Sequence, residues 1–286
     1  CIRDRNDAVK HFKEIIILFV PLIATSIYRM MDKVMIGQFN TMRQVGFYEN
    51  SEKLVNVCLC VISAFGAVMM PRMSNLYAQN KSSECANLFT RSMEIAMFIG
   101  CAIAFGISSV AKEFIPIFYG DGYEECVNIT VMLSSTVIFI TWACIIRTLY
   151  LIPTEKNRIY IYSVFFGAGV NIVINWMLIP RFASIGAAVG TIVAEVTVAV
   201  YQTVMVRNDL DISECIKKAI PFIVFGTIMF VVVRETPIVV EKSVVLMVVK
   251  IGIGATVYLA LSIIYFIKTK NQLFYDVLGK VIKLRK

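Results

Sequence analysis

Residues 184–206 read SIGAAVGTIVAEVTVAVYQTVMV, twenty-three positions with a single charge, Glu195. A helix rises about 1.5 Å per residue, so about 20 apolar residues cover a hydrocarbon core about 30 Å thick. Seven further stretches of the same character surround this one. They are 159–179, 127–151, 87–110, 47–70 and 14–36 on its N-terminal side, and 216–233 and 243–267 on its C-terminal side. Composition agrees, with 58% hydrophobic residues, 17% charged residues and a mean hydropathy of +0.74. A soluble chain of 286 residues would alternate polar and apolar faces, and these runs mostly do not. In lipid each backbone N–H must find its partner inside its own segment, which makes the spans helices. Barrel strands of about ten alternating residues are absent. The sequence therefore predicts an all-α integral membrane protein with eight transmembrane helices.

The formal net charge of +8 is explained by its placement. Arg3, Arg5, Lys10 and Lys13 precede the first span, Arg72, Lys81 and Arg91 follow the second, and Lys156 and Arg158 follow the fourth. Arg207, Lys217 and Lys218 follow the sixth span, and Lys268, Lys270, Lys280, Lys283, Arg285 and Lys286 follow the eighth. Those eighteen face six on the opposite loops: Arg43, Lys53, Lys112, Arg181, Arg234 and Lys242. Basic loops stay in the cytoplasm. The expected location is therefore the cytoplasmic membrane, multi-pass, with both termini cytoplasmic. Membrane lipids are the partners this charge implies, anionic ones at the inner leaflet, and no nucleic acid is called for.

Several chemistries are excluded. There is no P-loop for ATP hydrolysis, and Gly252-x-Gly254 lacks the rest of a dinucleotide fingerprint, so no cofactor is expected. His11, the one histidine, lies in the tail, which removes a His-based metal site or catalytic triad, and Cys58-x-Cys60, mid-span, reads as small apolar packing rather than a metal site. No outer pair of cysteines offers a disulfide; Cys126 alone lies near the outer face. The outer loops are too short for the catalytic loops of a glycan polymerase or ligase.

The functional argument rests on polar groups at membrane depth, which cost a few kcal/mol or more and face a cavity or a partner. The first span carries Thr25, Ser26, Arg29, Asp32 and Lys33 at the spacing of one helical face. The second opens with Glu49, Glu52, Lys53 and Asn56 and continues at Cys60 and Ser63. Two readings stand side by side: a salt-bridged cluster at the outer interface, or the wall of a hydrated cavity. Asn171 and Asn175 lie one turn apart in the fifth span, as do Thr191 and Glu195 in the sixth. Glu195 is either glue between helices, satisfied by a neighbour such as an Asn of the fifth span, or a site for a proton or another cation. Arg147 either snorkels to the inner interface or lines the cavity.

Packing signals complete the pattern. Gly186 and Gly190 form a small-residue face for close approach to a neighbour. Pro21 should kink the first span ahead of its charged stripe. The stretch KEFIPIFYGDGY (112–123) reads as a short interfacial helix with a Gly turn, and 268–286 as a basic amphipathic helix on the inner leaflet.

Four stretches carry a resemblance: MMDKVMIGQF (30–39), VGFYENSEKL (45–54), VMMPRMSNLYAQNK (68–81) and SIGAAVGTIVAEV (184–196). In order and spacing they resemble the C-terminal half of the Wzx-type oligosaccharide and polysaccharide flippases, members of the multidrug/oligosaccharidyl-lipid/polysaccharide exporter superfamily. The resemblance implies a two-lobed transporter. Residues 1–13 would be a cytoplasmic connecting loop, 14–206 the second six-helix lobe, 207–267 two additional helices, and 268–286 the tail. The first lobe would then lie upstream, and the chain is expected to be the C-terminal part of a longer protein. The implied function is translocation of a polyprenyl-pyrophosphate-linked oligosaccharide by alternating access, and not an enzymatic reaction. Arg29, Lys33, Lys53 and Arg147 are its cationic candidates; Asp32, Glu49 and Glu52 make the cavity mixed in sign. The substrate-binding set expected from the sequence adds Asn56, Asn171, Asn175 and Glu195. A cation-coupled multidrug exporter of the same superfamily is the alternative, with a proton or sodium as the coupling ion.

Overall fold

In the computed structural model the described residues are 26, 30–236 and 243–269. Residues 1–13, most of the first span with Pro21, Thr25 and Arg29, and the tail beyond 269 lie outside them. The described chain is helical throughout: α1 (30–39), α2 (Met42–Ala78), α3 (Ser82–Tyr119), α4 (Glu125–Ser134), α5 (Thr136–Ile146), α6 (Asn157–Val206), α7 (Ile212–Glu235) and α8 (Ser243–Lys268). Arg147–Leu151 continues α5 as a π-helical turn, so α4 and α5 form one crossing, Glu125–Leu151. Among the described residues, six helices are long and apolar enough to cross a membrane.

One of them, α6, is folded in two. Pro180 removes a backbone donor, and Ala183 takes φ 49 and ψ −129, outside the helical region. The carbonyl of Ile179, whose helical partner would be the N–H of Ala183, accepts instead from Asn40 Nδ2 at 2.9 Å. Past the break the chain returns along itself. Gln202 meets Ser163, Val198 lies against Gly167, Asn175 against Gly190, and Leu178 against Gly186. Each pair is centred on the same point at 182–183, the mark of two antiparallel helices. The small-residue face of 186–190 thus packs inside the chain, on the fifth span. Without a hydrophobic driving force between helices in lipid, such close backbone approach is what holds the pair.

Helix α3 is the central post, packed on α2, α4, α5, α7 and α8. Small-residue notches fix its register: Gly100 faces Thr141, and Phe105 fills the notch at Gly226. The hairpin α7–α8 lies on the flank of α3 through an aromatic cluster of Phe98, Phe222, Tyr258 and Phe266. Glu113 of α3 accepts from Lys250 of α8 at 2.5 Å, so Lys250 has a structural partner. Asp211 caps α7, accepting from the N–H of Glu214. The expected interfacial helix at 112–123 is not a separate element. Residues 112–119 are the last turns of α3, which ends where Gly120 and Gly122 take positive φ of 82 and 92.

The apolar core is split. One cluster, around Phe89, Met93, Tyr150 and Ile212, fills the end where the 79–82, 152–156 and 207–211 turns lie. The other, around Phe47, Ile115, Ile129 and Ile179, fills the opposite end. At the first end Lys156 pairs with Asp209 at 2.8 Å, and this hydrogen bond pushes the Asp209 carboxyl below, and the Lys156 ammonium above, their ordinary ranges. The pair holds the hinge after the fourth span to the end of α6. Its stabilisation is lost as pH falls through the lowered carboxyl value or rises through the raised ammonium value, and both side chains are exposed enough to keep it under about 1 kcal/mol.

Two expectations test this arrangement. With the basic loops in the cytoplasm, a cysteine placed at Asp121 reacts with an impermeant maleimide in intact cells, whereas one at Asn208 reacts only after permeabilisation; the reverse pattern would invert the topology. Native Cys126 is unsuited to this role, because it is fully buried and its thiol points to the Phe47 carbonyl. The second expectation concerns packing. A methyl at Gly190 would overlap Asn175 Oδ1, while one at Gly169 meets open space. Gly190→Ala should cost about 1–3 kcal/mol, read as a lower thermal midpoint in detergent, and Gly169→Ala should leave it unchanged.

Candidate functional site

Between the two apolar clusters runs a polar crevice bounded by α1, α2, α5 and both halves of α6. At one end Asp32, only 1% exposed, is surrounded by neutral donors. Tyr48 Oη donates to Oδ2 at 2.9 Å, Thr191 Oγ1 lies 3.1 Å from the same oxygen, and Asn175 Nδ2 donates to Oδ1 at 2.5 Å. Asn175 Nδ2 also reaches Asn171 Oδ1 at 3.1 Å. The fold-back of α6 is what assembles this set, because it lays Thr191 beside Asn175. Asn175 Oδ1 remains buried with no hydrogen-bond partner among the described residues. Among the described residues no Lys or Arg pairs with Asp32.

The charged stripe divides. Lys33 pairs with Glu52 at 3.0 Å, half-hidden, while Lys53 pairs with Glu49 one turn away on the exposed side of α2. Salt bridge and cavity wall are therefore both present: Glu52 and Asn56 line the crevice beside Asp32, Thr191 and Glu195. Glu49 and Lys53 are not among its lining residues. Arg29 lies outside the described residues.

Deeper, the crevice widens to a cavity of about 380 Å³ whose wall holds Asn56, Ser63, Arg147, Tyr160, Glu195 and Gln202. Arg147 sits in this cavity wall. It opens the π turn, where the N–H of Ile152 reaches back five residues to the Arg147 carbonyl at 2.9 Å. Its Nη1 donates to Tyr160 Oη at 3.3 Å, its Nη2 to Cys144 Sγ at 3.6 Å, and its guanidinium lies 5.3 Å from the centre of the Tyr160 ring. All of these partners are neutral. No carboxylate among the described residues forms an ion pair with Arg147. The fifth-span asparagines bond the Asp32 network, and Glu195 shares the cavity wall with Asn56 and Arg147.

Of the residues expected from the sequence, Asp32, Glu52, Asn56, Arg147 and Glu195 line one continuous crevice, with Asn171 and Asn175 behind Asp32. Tyr48, Thr191, Tyr160 and Gln202 complete it. Tyr48 was legible in principle, since Tyr48, Glu52, Asn56, Cys60 and Ser63 recur at helical spacing. Gln202 carries no charge and gave no such signal. Elsewhere a carbon-lined groove of about 610 Å³ runs between α3, α7 and α8.

Comparison with known proteins agrees with this architecture. A family model described as polysaccharide biosynthesis protein matches residues 7–128. A probable low-salt glycan biosynthesis flippase, Agl15 of Haloferax volcanii, is 26% identical over 167 residues, covering 57% of this chain and 34% of its own length. The capsular polysaccharide biosynthesis protein CapF of Staphylococcus aureus is 23% identical over 192 residues, covering 64% of this chain and 47% of its own. The chain thus spans between a third and a half of these relatives. Among solved structures, the lipid II flippase MurJ in an inward closed conformation superposes with a TM-score of 0.68 at 16% identity, covering 92% of this chain and 56% of that one. A MOP-superfamily transporter from Pyrococcus furiosus gives 0.60 at 13% identity, covering 86% and 63%. The resemblance read from the sequence is borne out as a similarity: the chain is a multi-pass membrane protein, similar over part of its length to flippases and polysaccharide-biosynthesis proteins, and it shares the fold of the lipid II flippase and the MOP-superfamily transporter.

Proposed function

We propose that this chain supplies one lobe of a flippase that moves a polyprenyl-pyrophosphate-linked oligosaccharide from the inner to the outer leaflet by alternating access, for surface-polysaccharide synthesis. The observation that carries the reading is Arg147. A guanidinium in a cavity wall whose hydrogen-bond partners among the described residues are all neutral suits an anion, because the removal of a charge from water is compensated only by an opposite charge and good geometry. A diphosphate meets that need and a planar donor fork suits it. The polar remainder of the wall suits a sugar head, and the names of the relatives point the same way.

Coupling to a cation fits the other end of the crevice. A carboxylate that is 1% exposed and held by Tyr48, Thr191 and Asn175 has no Lys or Arg partner among the described residues. A proton on Asp32, or a sodium ion among Asp32 and the unpartnered Asn175 oxygen, would neutralise it. Asp32 and Glu195 are also what a cation-coupled drug exporter would use, and the experiment separates the two readings.

In cells lacking the full-length protein, polyprenyl-linked glycan should accumulate on the inner leaflet and surface glycan should fall. Arg147→Ala should reproduce that loss at near-normal abundance, and Arg147→Lys, which keeps charge without the fork, should recover part of it. Intact glycan display together with sensitivity to cationic drugs would overturn the flippase reading in favour of the exporter. In vesicles holding the full-length protein, Asp32→Asn should abolish the dependence of glycan movement on the cation gradient; imposing a pH gradient and a sodium gradient in turn identifies the ion. Persistence of the dependence in Asp32→Asn would remove Asp32 from the coupling role.

A further inference from the structure

Gln202 lies in the wall of the cavity that holds Arg147, and it is 1% exposed. Its Nε2 donates to Ser163 Oγ at 3.0 Å. Ser163 Oγ in turn donates to the Tyr160 carbonyl at 2.7 Å. A hydroxyl has one proton to give, and Ser163 has given it to Tyr160, so it can only accept from Gln202. The amide orientation follows from this network: nitrogen toward Ser163, oxygen away from it. That oxygen, Oε1, is buried and has no hydrogen-bond partner among the described residues. Buried amide oxygens without a donor are rare because they lose their hydration and regain nothing.

Tyr160 ties this acceptor to the cation. Its hydroxyl accepts from Arg147 Nη1 at 3.3 Å, and its carbonyl holds Ser163. One residue therefore sets the positions of a guanidinium that forms no ion pair, and an amide oxygen that has no donor, among the described residues. A ligand that satisfied both groups would bring an anionic group and an O–H or N–H donor. An ionised diphosphate has no proton to donate, and a polyprenyl chain has neither group. A sugar joined to a diphosphate has both.

Resting on the flippase reading above, we infer that Gln202 is a specificity-determining residue: Oε1, closed off in this structure, is uncovered as the cavity opens to the ligand and accepts a hydrogen bond from a hydroxyl or acetamido N–H of the sugar unit nearest the diphosphate. The discrimination follows from chemistry. A site built to pair with a donor rejects the analogue that lacks it, because its own buried acceptor is then left unpaired. Replacing Gln202 by an apolar residue removes that penalty along with the contact.

The test uses the full-length protein. Wild type is first required to restore surface glycan to cells lacking it; failure there overturns the flippase reading and this inference with it. Flipping is then measured in proteoliposomes with undecaprenyl diphosphate carrying the first sugar of that cell's glycan, and with analogues deoxygenated, or stripped of the acetamido group, one position at a time. Wild type should move the parent at least about tenfold faster than one of these analogues. Gln202→Leu should slow the parent by about the same factor and move parent and analogue at equal rates. Gln202→Glu, which keeps an acceptor in place, should retain the preference. Gln202→Asn serves in place of Gln202→Leu where the latter does not reach wild-type abundance, with the same loss of preference expected. An undiminished preference in the Leu or Asn variant, with wild type active, would overturn the assignment while leaving the flippase reading intact.

Discussion

Asn175 occupies the space that a side chain at position 190 would fill, and the polar half of the structure depends on that contact. Glycine at 190 and at 186 lets the returning half of α6 approach the outgoing half until backbone meets backbone. Any larger residue would hold the helices apart by the thickness of a methyl group. The approach brings Thr191 level with Asn175 and closes both around Asp32. In lipid, where apolar surfaces gain nothing from leaving one another's company, van der Waals fit and interhelical hydrogen bonds carry the packing. Here the glycines supply the first and the Asp32 network the second.

The split of the core follows from the same constraint. Polar side chains cannot be scattered through a membrane domain; each must meet another or meet water. Asp32, Glu52, Asn56, Glu195, Arg147 and Gln202 come from four helices and would be costly anywhere else. Gathered, they form one crevice, and the apolar residues are left to close the two ends. Helix α3 faces away from the crevice and takes the opposite duty, as the post on which α7 and α8 lean.

Much of this was legible in the residues. Apolar runs are a strong signal because the bilayer fixes their length, and the described spans fall where the runs do. Costly polar residues at depth, Asp32, Asn171, Asn175 and Glu195, announce a site by their expense alone. What failed was angular resolution. Successive helix positions differ by about 100°, so Glu49 and Lys53 lie beside the stripe of Tyr48, Glu52 and Asn56 but turn outward, where they pair with each other. Arg147 stood near a span end, a place where snorkelling and a cavity role look the same in sequence; the π turn that decides between them has no sequence signature. Tyr48 and Gln202 were hidden for a different reason. An uncharged polar residue is cheap when paired, and its importance lies in a partner, Asp32 for one and Ser163 for the other, that sequence does not place.

The geometry also joins the two ends of the crevice. Asn56, Leu59, Ile140 and Glu195 line both the narrow part at Asp32 and the wide part at Arg147. A change at one end is therefore not confined to it. The contacts of Asp32 reach α2 through Tyr48 and the returning half of α6 through Thr191, which are the helices that carry Asn56 and Glu195. Loss of the negative charge at Asp32 weakens the hydrogen bonds it accepts, because bonds to an ionised carboxylate are about twice as strong as those to a neutral group. α2 and α6 are then held less firmly, and the width of the cavity between them is what those two helices set. The carboxylate that clasps these helices is thus tied, through a shared wall, to the cavity that holds Arg147 and Glu195.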